Sequence, residues 1–295
     1  MARIDVIEVA LARAFRRITD HGTPPRLRAA MAHALFPGGA RVRPRLALAV
    51  ARACGGEGSI ASHAAVAVEM IHCASLVHDD LPCFDDAPVR RGRPAVHAKF
   101  GESLAVLVGD GLIVAAFDEL ADGISRHPRL APSIGVLAGA VGASGGLVAG
   151  QAWEDEPETE LGRYHRAKTG ALFEAAACMG AIAAGVDPAP WRALGSLFGE
   201  AYQLADDILD GMASASELGK PVGQDLAHSR PSALTTLGLE GSQDRLHRLR
   251  RRAPELVPAC AQRIELQQWL DELMGRVLGH ALRPPMQSFG ASLPN

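Results

Sequence analysis

The sequence predicts an all-α fold, and three observations carry that reading. Alanine is abundant, and apolar residues recur at the three- and four-residue steps of buried or amphipathic helices. Prolines mostly fall between these periodic segments. No stretch shows the apolar/polar alternation, bounded by turn residues, that marks strands. With no Ser/Gly-rich linker, low-complexity block or repeat, residues 1–295 are expected to form a single domain.

Taken in order, helices are expected over 3–19, 25–35, 41–54, 59–80, 101–123, 130–150, 159–185, 189–212, 232–239 and 256–281. The first carries charges throughout, interleaved with apolar residues at helical spacing, so it reads as an amphipathic helix and not as a signal peptide. The Gly-containing segment GGARVRP, from Gly38 to Pro44, separates the second helix from the third and places Arg41 and Arg43 at a helix start. Helix 59–80 is almost entirely apolar, with Ile60, Ala64, Ala67, Val68 and Ile71 on a buried periodicity, and Pro82 should stop it near Asp80 or Leu81. Leu130 to Trp153 holds no charge over a length that could span a bilayer. Its glycines, serines, Pro132 and Gln151 make it weakly hydrophobic, so a close-packed internal helix is expected and not a transmembrane one. The basic run from Arg245 to Arg252 reads as a solvated helix face.

Composition excludes several function classes. A net charge of -3 and a pI near 6.4 give no global attraction for nucleic acid. Five scattered cysteines, Cys54, Cys73, Cys83, Cys178 and Cys260, include no CxxC pair, which suits reduced thiols in a cytoplasmic protein and offers no metal site.

Chemistry concentrates at the end of helix 59–80. In LVHDDLPCFDDAPVRRGRP, Asp79 and Asp80 fall at a helix C-terminus, where the macrodipole disfavours each carboxylate by about 0.3–1 kcal/mol. Asp85 and Asp86 follow at once, and two like charges about 4 Å apart repel by roughly 4 kcal/mol at an effective dielectric near 20. A cation is required. Arg90, Arg91 and Arg93 could supply it, as in a solvated loop paired with its own arginines; clustered hard oxygens also suit magnesium. A second group, YQLADDILD, sets Gln203, Asp206, Asp207 and Asp210 at steps of three and four, on one helical face with oily flanks. Two such groups facing one cavity would make a multi-metal site for a polyanionic substrate.

These residues carry a resemblance. DDLPCFD and DDILD, with GGARVRP and SRPSAL at either end of a stretch covering most of the chain, resemble the signature of the trans-isoprenyl diphosphate synthases, and most of all the bacterial geranylgeranyl diphosphate synthases of carotenoid pathways. The resemblance implies a helical bundle around a central cavity, working as a cytoplasmic homodimer. It implies a magnesium-dependent prenyltransferase that condenses isopentenyl diphosphate with an allylic prenyl diphosphate, holding about three ions per site. Carried over residue by residue, Asp79, Asp80, Asp85, Asp206 and Asp210 are metal ligands. Lys168, Lys220 and Arg90 attend the allylic diphosphate, Arg230 stands at a third position where the family often has lysine, Arg43, His72 and Arg91 attend isopentenyl diphosphate, and Thr169 and Gln203 are further substrate-binding residues. The family's usual lysine position is Ala40 here, and Arg41 is expected to compensate. Of thirty Lys and Arg residues only Lys99, Lys168 and Lys220 are lysines, and two of those match family phosphate contacts. An ammonium acts there as a compact point charge.

In the family, the residue five positions before the first aspartate helps set product length. Ala74, with Ser75 beside it and Ile71 almost a turn back, should leave a deep pocket suited to a C20 product. The alternatives are a farnesyl diphosphate synthase, which differs only in product; a noncatalytic prenyl synthase subunit, which would show a damaged aspartate motif; and a class I terpene cyclase, whose second metal motif differs from DDILD.

Overall fold

The computed structural model describes residues 6–20, 22–36, 39–157, 160–212, 232–279 and 281–282. Lys220, Arg230 and Gly38 of the sequence reading lie outside them.

The most apolar helix organises the rest. Helix α4 (Gly58–Asp79) buries almost every side chain from Ile60 to Ala74. It packs against α3 (Val42–Ala53), α6 (Glu102–Arg126) and α10 (Ala171–Ala184). By length and composition it is the one described helix that could cross a membrane, yet 83% of its most apolar stretch is buried inside the protein, as befits a core helix. Helix α10 in turn packs on α3, on α7 (Pro132–Val141) and on α11 (Arg192–Met212). One apolar cluster runs from Ile7 on α1 (Val6–Thr19) to Leu278 on α13 (Arg263–Leu278). Fully buried members such as Leu46, Met70 and Phe173 contribute about 1.5–3 kcal/mol each through burial alone.

Helix α1 is held by charge as well as oil. Arg13, Arg17 and the Nδ1 of His63 converge on the buried carboxylate of Glu119 at 3.2, 3.0 and 2.7 Å. Burial opposes ionisation of Glu119, but these partners outweigh it and hold the group below the usual carboxylate range. Helix α2 (Pro25–Leu35) begins with proline at its first position, where a missing N–H costs nothing.

Several expected elements are divided. The stretch 130–150 is a short 3-10 turn (Pro128–Leu130), then α7, a break at residues 142–146, and α8 (Leu147–Ala152). The backbone is extended at Gly142 and Gly146 and has φ +142° at Gly145, so glycines end the helix that sequence periodicity continues. The stretch 159–185 is α9 (Leu161–His165), a π-helical turn (Arg166–Gly170) and α10. A two-stranded hairpin, β1 (Val89–Arg90) with β2 (Arg93–Pro94), and the short α5 (Val96–Phe100) were not expected, since each is too brief to show a period.

The predicted helix 232–239 continues as α12 (Ala233–Arg252) beyond a kink at Gly238, so the Arg245–Arg252 run does lie on a helix. Its start is fixed by a capping box between Ser232 and Thr235. The last predicted helix, 256–281, is shorter, because a 3-10 turn (Ala253–Leu256) and a loop precede α13.

Candidate active site

Helix α4 ends at Asp79, and the chain folds back over its open carbonyls. The amides of Asp85 and Ala87 donate to the carbonyls of Asp79 and Asp80 at 2.9 and 3.2 Å, with Asp86 left-handed at φ +46°. The turn therefore gathers Asp79, Asp80 and Asp85 while satisfying the helix end. The hairpin that follows aims Arg90 back at the helix: its Nε donates to Asp80 Oδ1 at 2.9 Å, and a terminal nitrogen reaches the same oxygen. Asp80 is buried, and Arg90 is its counter-ion, so one of the expected diphosphate contacts closes on an expected metal ligand. Arg93 instead donates to Phe36 O at 2.8 Å and to His33 Nδ1 at 2.7 Å, while the other ring nitrogen of His33 bonds Pro94 O. Arg93 thereby pins the hairpin to the end of α2.

Arg91, at φ +53° on the hairpin tip, lies against Gly39; a Cβ there would come within 2.7 Å of the guanidinium carbon. That close approach joins the GGARVRP segment to the arginine pair. Arg43 is also at the site. It is buried with its guanidinium 4.3 Å from the Phe173 ring and 5.4 Å from that of Tyr202, and its Nη1 is 3.5 Å from Nε2 of His72. Burial, then the fields of Arg43, Arg91, Arg90 and Arg41, push His72 well below its ordinary range, so it is neutral. A neutral imidazole among guanidinium groups is a setting for an anion.

Arg41 is a correction to the sequence reading. At φ +50° it turns inward, donating to Glu69 at 2.6 Å, to Glu8 at 2.7 Å and to Leu35 O at 2.7 Å. Its donors are spent within the core, so it does not stand in for a lysine at Ala40, which is exposed.

Lys168 sits in the π-helical turn, where the extra residue per turn shifts side chains out of α-helical register. Gly150 on α8 makes this possible, since a Cβ there would lie 2.3 Å from the Lys168 nitrogen. The ammonium pairs with Glu154, whose Oε1 also accepts from the Tyr164 hydroxyl at 2.7 Å. Burial disfavours the charged lysine, but Asp79, Tyr164 and Glu154 together raise it above its ordinary range. Asp79 itself is pushed up to about 6, by burial first; Lys168 opposes this and Asp85 adds to it.

Thr169, next in the turn, donates to Gln203 Oε1 on α11. Gln203 Nε2 donates to Asp207 Oδ1 at 2.8 Å, and Asp207 Oδ2 accepts from the first amide of α12, at Ala233, at 2.7 Å. The four-residue stripe expected on α11 is thus split. Asp207 is buried between helices as a structural acceptor and is pushed up to about 6 by burial, while Asp206 and Asp210 remain part-exposed beside it. One π turn therefore touches both acid groups: Lys168 lies in the field of Asp79, and Thr169 bonds the face that carries Asp206 and Asp210.

Below Asp79 opens a largely apolar cavity of about 370 Å³. Ile71, Ala74 and Ser75 are among the residues that line it. Phe84, Ile113 and Leu147 are among the others that line it, without any sequence signal, as they come from separate helices and a loop. Glu154 and Tyr164 were missed too, because Glu154 opens an acidic run that reads as surface.

The donor set at the two acid groups consists of carboxylate oxygens, which fit a hard divalent cation such as magnesium. Comparison with known proteins agrees. Residues 24–265 match the family model described as Polyprenyl synthetase. The chain is 50% identical over 256 residues to the geranylgeranyl diphosphate synthase of Cereibacter sphaeroides, a match covering 86% of this chain and 89% of that one. It is 48% identical over 264 residues to the geranylgeranyl diphosphate synthase of Rhodobacter capsulatus, covering 89% and 91%. Among solved structures, the geranyltransferase from Helicobacter pylori, complexed with magnesium and isoprenyl diphosphate, matches with a TM-score of 0.76 at 29% identity, over 92% of this chain and 96% of that one.

Proposed function

The chain belongs to the polyprenyl synthetase family, and on that premise we propose that it is a trans-prenyltransferase whose end product is geranylgeranyl diphosphate. It joins isopentenyl diphosphate head to tail to an allylic diphosphate of C5 to C15. The observation that carries the product assignment is the cavity under Asp79, where Ala74 and Ser75 leave room for a long prenyl chain.

Asp79, Asp80 and Asp85 at the end of α4, with Asp206 and Asp210 on α11, would hold about three magnesium ions. When bound, these cations offset the charge that develops on the leaving diphosphate. Lys168 grips the allylic diphosphate through a fixed point charge, and Arg90, which holds Asp80 here, is its second contact. Arg43, His72 and Arg91 receive isopentenyl diphosphate, with the Arg43 fork held flat by Phe173 and Tyr202. Ionisation of the allylic carbon–oxygen bond leaves a carbocation, which the isopentenyl double bond attacks. The proton lost afterwards passes to the released diphosphate, and no protein nucleophile takes part. The enzyme acts in the cytoplasm as a single-domain protomer of a homodimer.

The test is incubation of the purified protein with magnesium, labelled isopentenyl diphosphate and, separately, C5, C10 and C15 allylic diphosphates, with product length read after dephosphorylation. A dominant C20 alcohol is expected. A C15 end point would keep the reaction and remove the product assignment. Absence of product from every pair would overturn the reading.

A further inference from the structure

We propose that Glu154 is a positioning residue for the allylic site, holding the Lys168 ammonium in place for the leaving diphosphate. This rests on the function proposed above for Lys168. Glu154 lies in the turn after α8, and three donors converge on its carboxylate: Lys168, the Tyr164 hydroxyl at 2.7 Å and Gln151 Nε2 at 3.2 Å. Its side chain is only 6% exposed, so this carboxylate is built into the fold and is no surface partner that a lysine happened to meet.

The position has a consequence for the first acid group. Lys168 is a long, flexible cation that also lies in the field of Asp79. Glu154 takes up the ammonium, while the π turn and the Gly150 contact fix the backbone from which it projects. Lys168 is thereby kept near the metal-binding carboxylates without neutralising them, and its donors are aimed before substrate arrives.

The experiment is a mutant cycle on the full chain with steady-state kinetics. Glu154→Ala should lower kcat/KM for the allylic diphosphate by about tenfold, with KM for isopentenyl diphosphate within about twofold of the parent. In a Lys168→Ala background the same change should cost less than about twofold, because Glu154 acts only through that lysine. Glu154→Asp, which keeps the charge, should recover most of the loss. An equal loss in both backgrounds, or no loss in the parent, would overturn the proposal. Should Glu154→Ala fail to fold, Glu154→Gln and Tyr164→Phe replace it in the same cycle. Calorimetric titration of the parent with magnesium and an unreactive allylic thiolodiphosphate separates the two levels. Binding and turnover by the parent with no effect of Glu154 sinks this inference alone, whereas neither binding nor turnover sinks the reading of the site and this inference with it.

Discussion

Arg41 and Arg43 stand two residues apart at the start of α3 and face different surroundings. Arg43 lies over Phe173 and Tyr202 beside His72, whereas Arg41 closes on Glu8 and Glu69 inside the core. Removing Arg41 strips the counter-ion from buried Glu69, and breaking a buried pair from one side costs about 3–5 kcal/mol. Arg41→Ala should therefore lower stability in urea by an amount of that order and leave KM for isopentenyl diphosphate unchanged. A stable variant with a tenfold higher KM would restore Arg41 to the substrate site. A second residue pair sets a pH response. Asp207 is pushed up to about 6 by burial, and His165, 3.5 Å away, is pushed down to about 4, also by burial first. Between pH 4 and 6 the folded chain holds a proton on Asp207 that the unfolded chain has lost, so this group's contribution to stability falls as pH rises. His165 does the reverse, since the unfolded chain is protonated there and the folded one is not. In metal-free buffer the two oppose each other, and Asp79, also pushed up to about 6, acts in the same direction as Asp207. Relative to the parent, Asp207→Asn should make stability rise more, or fall less, with pH between 4 and 6, and His165→Gln should make it fall more, each by about 2–3 kcal/mol over that range. Parallel urea titrations would check this, and identical pH slopes in the two variants would refute it.

At the scale of elements, the joint between α8 and the π turn is the tightest part of the site. Gly150→Ala would set a methyl group 2.3 Å from the Lys168 nitrogen, against backbone that cannot rotate away. The variant should lose about 1–3 kcal/mol of stability and should lower kcat more than it raises KM for isopentenyl diphosphate. Unchanged stability and kcat would mean that the π turn yields freely. On α4 the corresponding change is Ala74→Phe, which fills a cavity of about 370 Å³ from its wall and should shift the dominant product from C20 to C15 or shorter; an unchanged C20 profile would show that the prenyl chain lies elsewhere. These two elements also show what the sequence makes legible. Helix α4 was readable almost to its last residue, because apolar periodicity, Pro82 and the acid pair are local signals. The second acid group was readable for the same reason, yet the turning of Asp207 toward Ala233 was not, since it depends on where α12 begins. The π turn and the Gly142–Gly146 break left no trace in hydrophobic periodicity. Both follow from close helix contacts, and Glu154 became visible only when folding brought Tyr164 and Lys168 to it.

At the scale of the whole molecule, the two acid groups belong to different helices, and one π turn reaches both. Lys168 reaches the end of α4 through its field and Thr169 reaches α11 through Gln203, both from one turn, while Arg43 from α3 stacks on Tyr202 of α11. Magnesium alone could engage either carboxylate group separately, with mutual repulsion only partly relieved. A diphosphate alone would meet Arg43, Arg91 and Lys168 but also the negative field of the aspartates. Only the two together complete the charge balance across both helices, so binding should be strongly coupled. At a ligand concentration one hundred times its Kd, linkage adds about 2.7 kcal/mol, or roughly 4–8 °C in Tm for a chain of this size. Thermal scans should therefore show a shift of that order with magnesium and an allylic diphosphate present together, and less than about 2 °C with either alone. Asp206→Ala should abolish most of the combined shift while leaving the Tm of the unliganded chain within about 2 °C, because Asp206 is part-exposed. A full shift from magnesium alone would mean that the two helices share a preformed metal site, and the coupling assigned to the diphosphate would have to be given up.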